Sequence, residues 1–303
     1  MAEQFCDVGR GITLCYETFG DPATPPVVLI MGLATQMIGW PEEFCEQLSD
    51  RGFYVVRFDN RDSGRSTQIP GRPPPLGQLV RRRIDPVLYT LSDMADDALG
   101  LIRALEIEPA HVVGASMGGM IAQTLAAEHP ESVRTLVSIM SNTGSRWTGQ
   151  PALGLYRYLL RQAPDDREGF IDHLDTVFAA IGSRGLPRDQ ERVRDIAARS
   201  YDRGHDPAAS GRQLGAITAS GNRTAALRRI TAPTLVIHGT DDKLVRPSGG
   251  RATTRAIPGA KLMKVEGMGH DLPSAAWPQL IGAIAQHATA TDGSAAAALS
   301  YRP

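Results

Sequence analysis

The sequence is poor in cysteine and lysine, carries almost no net charge and contains no long apolar run. Its three cysteines, Cys6, Cys15 and Cys45, do not make a disulfide framework. The patterns around Cys15 and Cys45 predict buried thiols instead. A net charge of −1 gives no electrostatic signature for nucleic acid or an anionic membrane. No span-length apolar segment and no signal peptide is visible. We therefore expect a cytoplasmic protein without nucleic-acid or membrane partners, and the oligomeric state stays open.

A short glycine-rich segment in the first half of the chain carries the strongest chemical signal. The apolar run that begins at His111 leads into Gly114-Ala115-Ser116-Met117-Gly118, and a helical pattern follows. In a sharp turn between strand and helix, small residues at the two ends of Gly-x-Ser-x-Gly let the backbones approach closely. The serine then stands at the tip of the turn with its hydroxyl exposed. This context predicts that Ser116 is a nucleophile.

A serine nucleophile needs a base, and the base needs an orienting acid. The run 234–239 predicts a buried parallel strand, and Asp241 and Asp242 follow it directly. The run 261–265 predicts the next strand, and a glycine-rich loop after it carries His270. Catalytic groups gather beyond the carboxyl ends of such strands. Ser, Asp and His therefore follow one another along the chain, each just beyond a predicted strand, although spacing alone does not choose between the two aspartates.

The other histidines considered have less suggestive positions. His238 lies in a strand just before the acid loop, where it could touch the site, but core packing is the better interpretation. Four more are interpreted as structural or surface groups: His111, His129, His173 and His205.

The chain alternates strand and helix patterns, which predicts a mostly parallel sheet covered by helices on both faces. The alternation stops between residues 145 and 222, where amphipathic helical patterns appear without strands. We expect residues 1–144 and 223–288 to form the α/β core, residues 145–222 a helical cap, and residues 289–303 a poorly ordered tail.

Several segments together resemble the serine-dependent α/β-hydrolases, above all the aclacinomycin methylesterase-like carboxyl esterases. The resemblance covers both ends of the predicted core and is poor in the middle region. The segments that carry it are Met31-Gly32, Gly39-Trp40-Pro41, residues 57–67, the Gly-x-Ser-x-Gly turn, Gly267-Met268-Gly269-His270 and Leu272-Pro273-Ser274.

The resemblance implies an α/β-hydrolase fold with a helical cap insertion and a Ser116–Asp242–His270 catalytic triad. The family places the acid at the end of Gly-x-x-Asp, which selects Asp242, with Asp241 as the alternative. It places the oxyanion donors at the backbone amides of Met117 and Leu33. It implies no cofactor and no metal. The residues expected to line the substrate pocket are Gly32, Trp40, Met140 and Trp147.

A serine nucleophile forms an acyl-enzyme, so the bond cleaved should join a carbonyl carbon to its leaving group. We expect hydrolysis of a hydrophobic small-molecule carboxylic ester. Perhydrolysis, lactone opening and carbon–carbon bond hydrolysis use the same residues and stay open, as does a ligand-binding protein with little turnover. The polar segment from Asp59 to Ser66 is interpreted as a supporting hydrogen-bonded loop rather than a second catalytic cluster.

Overall fold

The computed structural model describes residues 2–159 and 163–290. Within them, eight strands form one sheet in the order β1-β2-β4-β3-β5-β6-β7-β8. Apart from β1 and β2, which pair antiparallel at one edge, the strands run parallel. This confirms the predicted mostly parallel sheet. The strands are β1 (Gln4–Asp7), β2 (Thr13–Phe19), β3 (Pro26–Ile30), β4 (Tyr54–Phe58), β5 (Ala110–Ala115), β6 (Val133–Ile139), β7 (Thr234–Gly239) and β8 (Lys261–Val265).

Helices cover both faces of the sheet. One apolar core joins α3, α4 and their neighbours to one face, and a second joins α1 and α11 to the other. The helices are α1 (Glu42–Ser49), α2 (Leu76–Arg81), α3 (Leu91–Ala104), α4 (Met117–Glu128), α5 (Tyr156–Leu159), α6 (Arg167–Ile181), α7 (Gln190–Arg203), α8 (Ala209–Ser220), α9 (Thr224–Leu227), α10 (Ser248–Ala256) and α11 (Trp277–Thr289).

The central strands are buried along their whole length. Every residue of β5 and β7 is buried, as expected for parallel strands with helices on both faces. Strands β4 and β5 flank β3 on opposite sides, so the direction of winding reverses between β3 and β5. Their ends lie side by side, with Ile30 paired to Gly114. Ligands of open parallel sheets bind at such a reversal, beyond the carboxyl ends of the strands.

Helices α5 to α8 lie between β6 and β7 in the chain, where the cap was predicted. They have a small apolar cluster of their own, formed by Phe170, Ile171 and Ala197. The division into a core at 1–144 and 223–288 and a cap at 145–222 stays a prediction. Of the predicted tail, 289–303, all but the first two residues lie outside the described residues.

The cysteines are free thiols, two of them buried. Cys15 and Cys45 are buried and Cys6 is partly exposed. Burial raises the pKa of the Cys15 thiol to about 12 and has the same effect on Cys45. Both thiols therefore stay protonated at neutral pH. Their burial confirms the prediction that they are buried thiols.

Candidate active site

The turn between β5 and α4 holds Ser116 in an unusual backbone conformation. Its φ is 55° and its ψ is −117°, a combination that residues with a side chain rarely adopt. The turn fits only because its flanking positions lack side chains. A Cβ on Gly114 would lie 2.1 Å from the Gly118 carbonyl oxygen, and one on Gly118 would lie 2.1 Å from that of Ile30. The two glycines thus allow the strained turn that presents the serine.

We expect Gly118→Ala to lower the free energy of unfolding by about 3 kcal/mol, the upper end of the cost of overpacking. The added methyl group meets backbone of β3, which cannot rotate away as a side chain could. Gly282→Ala is the matched control, because a Cβ there meets nothing within 4 Å inside helix α11. The control should be neutral or stabilising by about 0.5–1 kcal/mol. Denaturant titration measures both, and equal stability of the two variants would contradict this account of the turn.

The loops after β7 and β8 bring an acid and a histidine to Ser116. Nε2 of His270 lies 2.9 Å from the Ser116 hydroxyl oxygen, and Nδ1 of His270 lies 2.8 Å from Oδ2 of Asp242. Asp242 and His270 are buried, and Ser116 is partly exposed. The three side chains form one hydrogen-bonded chain that reaches solvent only at the serine.

The Asp242 carboxylate is held in a fixed orientation. Its Oδ1 accepts hydrogen bonds from the backbone amides of Leu244 at 2.9 Å and Val245 at 2.8 Å, which leaves Oδ2 for His270. Burial alone would raise the pKa of this carboxyl. The adjacent His270 and the contact with His238 outweigh burial and hold the pKa of Asp242 below its ordinary value. Asp242 is therefore ionised at neutral pH.

Asp241 does not join this hydrogen-bonded chain. It is partly exposed, and its backbone amide donates to the Met268 carbonyl at 3.0 Å. Adjacent residues of a loop point their side chains in different directions, and only Asp242 is directed at His270. The structure thus brings together the three side chains that the sequence suggested. It also distinguishes Asp242 from Asp241, which spacing alone could not do.

His238 is buried, as its interpretation as a core residue predicted, and it also contacts the site. Its Nε2 is 2.7 Å from the Val245 carbonyl oxygen and 3.5 Å from Oδ2 of Asp242. The buried Nδ1 has no hydrogen-bond partner among the described residues. A histidine at the end of a strand, four positions before the expected acid, is the sequence signal for this contact.

The loop after β3 approaches Ser116 from the other side. A Cβ on Gly32 would lie 3.1 Å from Cβ of Ser116, so this position needs a small residue beside the nucleophile. The amide of Met117 is at the first position of α4, where helical amides have no intrahelical acceptor. In the described part of the chain, neither this amide nor that of Leu33 donates a hydrogen bond to a protein atom. Two free donors thus belong to the segments that meet at Ser116.

The predicted pocket residues have different environments. Trp40 has no exposed surface and packs against Phe44, with 5.3 Å between the ring centroids, in the same core as Trp277. Its pocket role stays a prediction. Met140 is also nearly buried, whereas Trp147 is 85% exposed in the loop after β6. Pocket roles for Gly32, Met140 and Trp147 stay predictions.

The segment from Asp59 to Ser66 supports the site as expected. The Asp59 carboxylate accepts hydrogen bonds from the amides of Met37 at 2.7 Å and Arg65 at 3.0 Å, and it pairs with Arg203 of α7 at 2.9 Å. Asp62 is buried and pairs with Arg212 of α8 at 2.6 Å. Internal hydrogen bonds and ion pairs therefore occupy both carboxylates. The two ion pairs connect helices α7 and α8 to the loop after β4.

The described residues offer neither a metal-binding cluster nor a membrane-spanning helix. No group of three or more histidine, cysteine, aspartate or glutamate side chains there could hold a metal ion. Across residues 2–159 and 163–290, none of the helices has the length and apolar character that a membrane span requires.

Comparison with known proteins gives consistent matches. A family model described as alpha/beta hydrolase fold matches residues 25–273. Rhodomycin D methylesterase DauP of a Streptomyces strain is 31% identical, with 92% of this chain and 96% of the relative covered. Rhodomycin D methylesterase DnrP of Streptomyces peucetius is 30% identical with the same coverage. Among solved structures, the enol-lactonase of Burkholderia xenovorans matches with a TM-score of 0.74 at 22% identity, covering 94% of this chain and 100% of that chain.

Proposed function

This chain belongs to the α/β-hydrolase fold family and is a hydrolase, and from that premise we propose that it cleaves small hydrophobic carboxylic esters through Ser116, His270 and Asp242. The observation that carries the proposal is the hydrogen-bonded chain from the Ser116 hydroxyl through the His270 ring to Asp242. A serine hydroxyl is a weak nucleophile at neutral pH unless a base removes its proton. Here His270 is the base, within hydrogen-bond distance of the Ser116 hydroxyl, and Asp242 orients its ring.

The acylation step follows from these contacts. Nε2 of His270 takes the Ser116 proton while the serine oxygen bonds to the ester carbonyl carbon, and the carbonyl π electrons move to the oxygen. The resulting oxyanion re-forms the carbonyl and expels the alcohol oxygen, which receives the proton from His270. Asp242, ionised and bonded to Nδ1, stabilises the imidazolium between these two transfers. The products of this step are an alcohol and an acyl-enzyme.

Deacylation repeats the same proton transfers with water. His270 removes a proton from a water molecule that attacks the acyl carbon, and then returns a proton to the Ser116 oxygen as it leaves. The carboxylic acid is released and the serine is restored. We assign the oxyanion of both tetrahedral intermediates to the free amides of Leu33 and Met117. Such donors contribute about 10²–10³ in rate each.

The relatives favour an ester with a small alcohol group. Both of the relatives described above are methylesterases, and they align over nearly the whole of this chain, including its middle region. A methyl ester releases methanol, which needs little space on the leaving-group side of Ser116. The residues that follow β3 and β6, Leu33 and Met140, have apolar side chains, and apolar walls suit a neutral, hydrophobic acyl group rather than a charged one. We therefore propose methyl esters of hydrophobic acids as the substrate class.

The proposal predicts turnover of p-nitrophenyl esters and of methyl esters of aromatic acids, without added metal or cofactor. Activity should depend on acyl length, because the pocket has a limited size, and methyl esters should exceed the butyl esters of the same acids in kcat/KM. Release of p-nitrophenol and titration of the acid product measure the two series.

A folded protein that hydrolyses none of these esters would overturn the proposal. Cleavage of a lactone, peracid formation from acetate and hydrogen peroxide, or cleavage of a carbon–carbon bond next to a carbonyl would then identify the alternative chemistry. Tight binding of an ester without turnover would indicate a ligand-binding protein.

A further inference from the structure

The segment that carries Leu33 has no regular secondary structure to hold it. It follows β3 directly, and residue Ala34 has a φ of 56°, in the left-handed region that favours glycine. The only backbone hydrogen bond inside residues 32–35 of the described chain is a long one, 3.4 Å from the Thr35 amide to the Gly32 carbonyl. A strained, weakly bonded segment keeps one conformation only if its surroundings impose it.

A side chain from helix α8 contributes to that constraint, beside the Ser63 hydroxyl, which donates to the Thr35 carbonyl at 3.1 Å. Gln213 is fully buried, and its Oε1 accepts a hydrogen bond from the Ala34 amide at 2.9 Å. Its Nε2 donates to the Arg61 carbonyl at 3.0 Å, in the loop after β4. Both ends of the side-chain amide are thus used, and their partners fix which end is oxygen: the Ala34 N–H can meet only an acceptor.

The helix that carries Gln213 is itself anchored next to this contact. The guanidinium of Arg212 pairs with both oxygens of Asp62, at 2.6 Å and 2.9 Å, and with Asp206 at 2.6 Å. A buried, bidentate ion pair of this kind fixes position and direction. The backbone position from which the Gln213 side chain extends to the loop after β3 is therefore fixed.

We propose that Gln213 is a positioning residue for the oxyanion hole, and this rests on the proposed function. The peptide between Leu33 and Ala34 is planar, so the hydrogen bond from Ala34 fixes the orientation of the backbone on one side of Leu33. The Leu33 amide belongs to the preceding peptide, one φ,ψ pair away, so fixing this peptide restricts the directions that the Leu33 N–H can take. Helix α8, which lies in the segment between β6 and β7 where the cap was predicted, thus supports the oxyanion hole.

The test compares two substitutions at one position. Gln213→Met has similar volume but cannot bond to Ala34. Gln213→Glu keeps an oxygen that accepts from the Ala34 amide, and its carboxyl, protonated in this fully buried place, can donate to the Arg61 carbonyl as Nε2 does. We expect Gln213→Met to lower kcat by roughly tenfold to a hundredfold, below the roughly 10²–10³ that loss of a donor costs, with KM nearly unchanged. Gln213→Glu should recover most of kcat. A trifluoromethyl ketone, which forms a tetrahedral adduct, should lose affinity in parallel with kcat.

A control separates positioning of the loop from loss of contact with α7 and α8. Arg199→Gln removes an ion pair between α7 and Glu42, at 2.5 Å, that does not touch residues 32–35. Its kcat should stay within about twofold of wild type. If Gln213→Met lowers only thermal stability, or lowers kcat no more than Arg199→Gln does, Gln213 has a purely structural role and the proposal is overturned.

A second measurement does not depend on turnover. Hydrogen–deuterium exchange of a peptide containing residues 32–36 should be faster in Gln213→Met than in wild type and close to wild type in Gln213→Glu. Unchanged exchange in Gln213→Met overturns the positioning role. If the wild-type protein hydrolyses no ester, the proposed function fails, and the exchange experiment still decides whether Gln213 holds this loop.

Discussion

Ser116→Ala should reduce kcat for ester hydrolysis by about 10⁶, the scale of nucleophile loss in serine hydrolases. Without the hydroxyl, no acyl-enzyme forms, and His270 has no proton to accept at 2.9 Å. Binding and the two amide donors still stabilise attack by water, which sets the residual rate. KM should change little, because the hydroxyl contributes little to ground-state binding. Release of p-nitrophenol from p-nitrophenyl acetate measures the loss of turnover, and covalent labelling by a fluorophosphonate measures the loss of the nucleophile.

Ser141→Ala is a matched control for this experiment. Ser141 lies just beyond the end of β6, and its buried hydroxyl has no hydrogen-bond partner within the described residues. Its removal should leave both turnover and labelling near the wild-type level. Substantial activity in Ser116→Ala, with a circular dichroism spectrum like that of wild type, would mean that another group attacks the ester.

Asp242→Asn should lower kcat by about 10⁴, whereas Asp241→Asn should stay within a fewfold of wild type. The size of the first effect follows from the orientation of the new amide. Two backbone amides donate to Oδ1 at position 242, so the asparagine oxygen must occupy that place. Its NH₂ group then faces Nδ1 of His270 and donates to it. The proton of His270 moves to Nε2, which can no longer accept the proton of Ser116.

The pair is compared by kcat on one ester across a range of pH. Because its neighbours hold the pKa of Asp242 low, the wild-type carboxylate stays ionised well below neutral pH. The deficit of Asp242→Asn should therefore persist over the whole neutral range. Equal losses of kcat in the two variants, or a loss confined to Asp241→Asn, would show that the assignment of Asp242 as the orienting acid is wrong.

Long regular elements could be predicted because their patterns are local. The strand and helix on either side of Ser116 follow from an apolar run, two glycines and a helical repeat, and the structure has them at Ala110–Ala115 and Met117–Glu128. The short helix Leu76–Arg81 was not predicted. None of its residues is buried, so the sequence had no apolar periodicity to reveal it.

The environment of individual side chains was predicted less well. Trp40 lies in a segment that carries the family resemblance, and it was expected to line the pocket. It is buried because Phe44 is four residues away and Trp277 lies in the same core from the far end of the chain. His238 is buried, as its interpretation as a core residue predicted, and its 3.5 Å contact with Asp242 depends in addition on how the loop after β7 folds back.

The sequence by itself determined the fold class, the strained turn at Ser116 and the order of the three candidate catalytic residues. These depend on residues close together in the chain, where backbone sterics and the burial of apolar side chains decide the outcome. Only the tertiary structure showed which aspartate meets His270, that Trp40 is covered, and that Gln213 reaches the amide of Ala34. Such contacts join residues far apart in sequence, and whether they form depends on how separate helices and loops pack against one sheet.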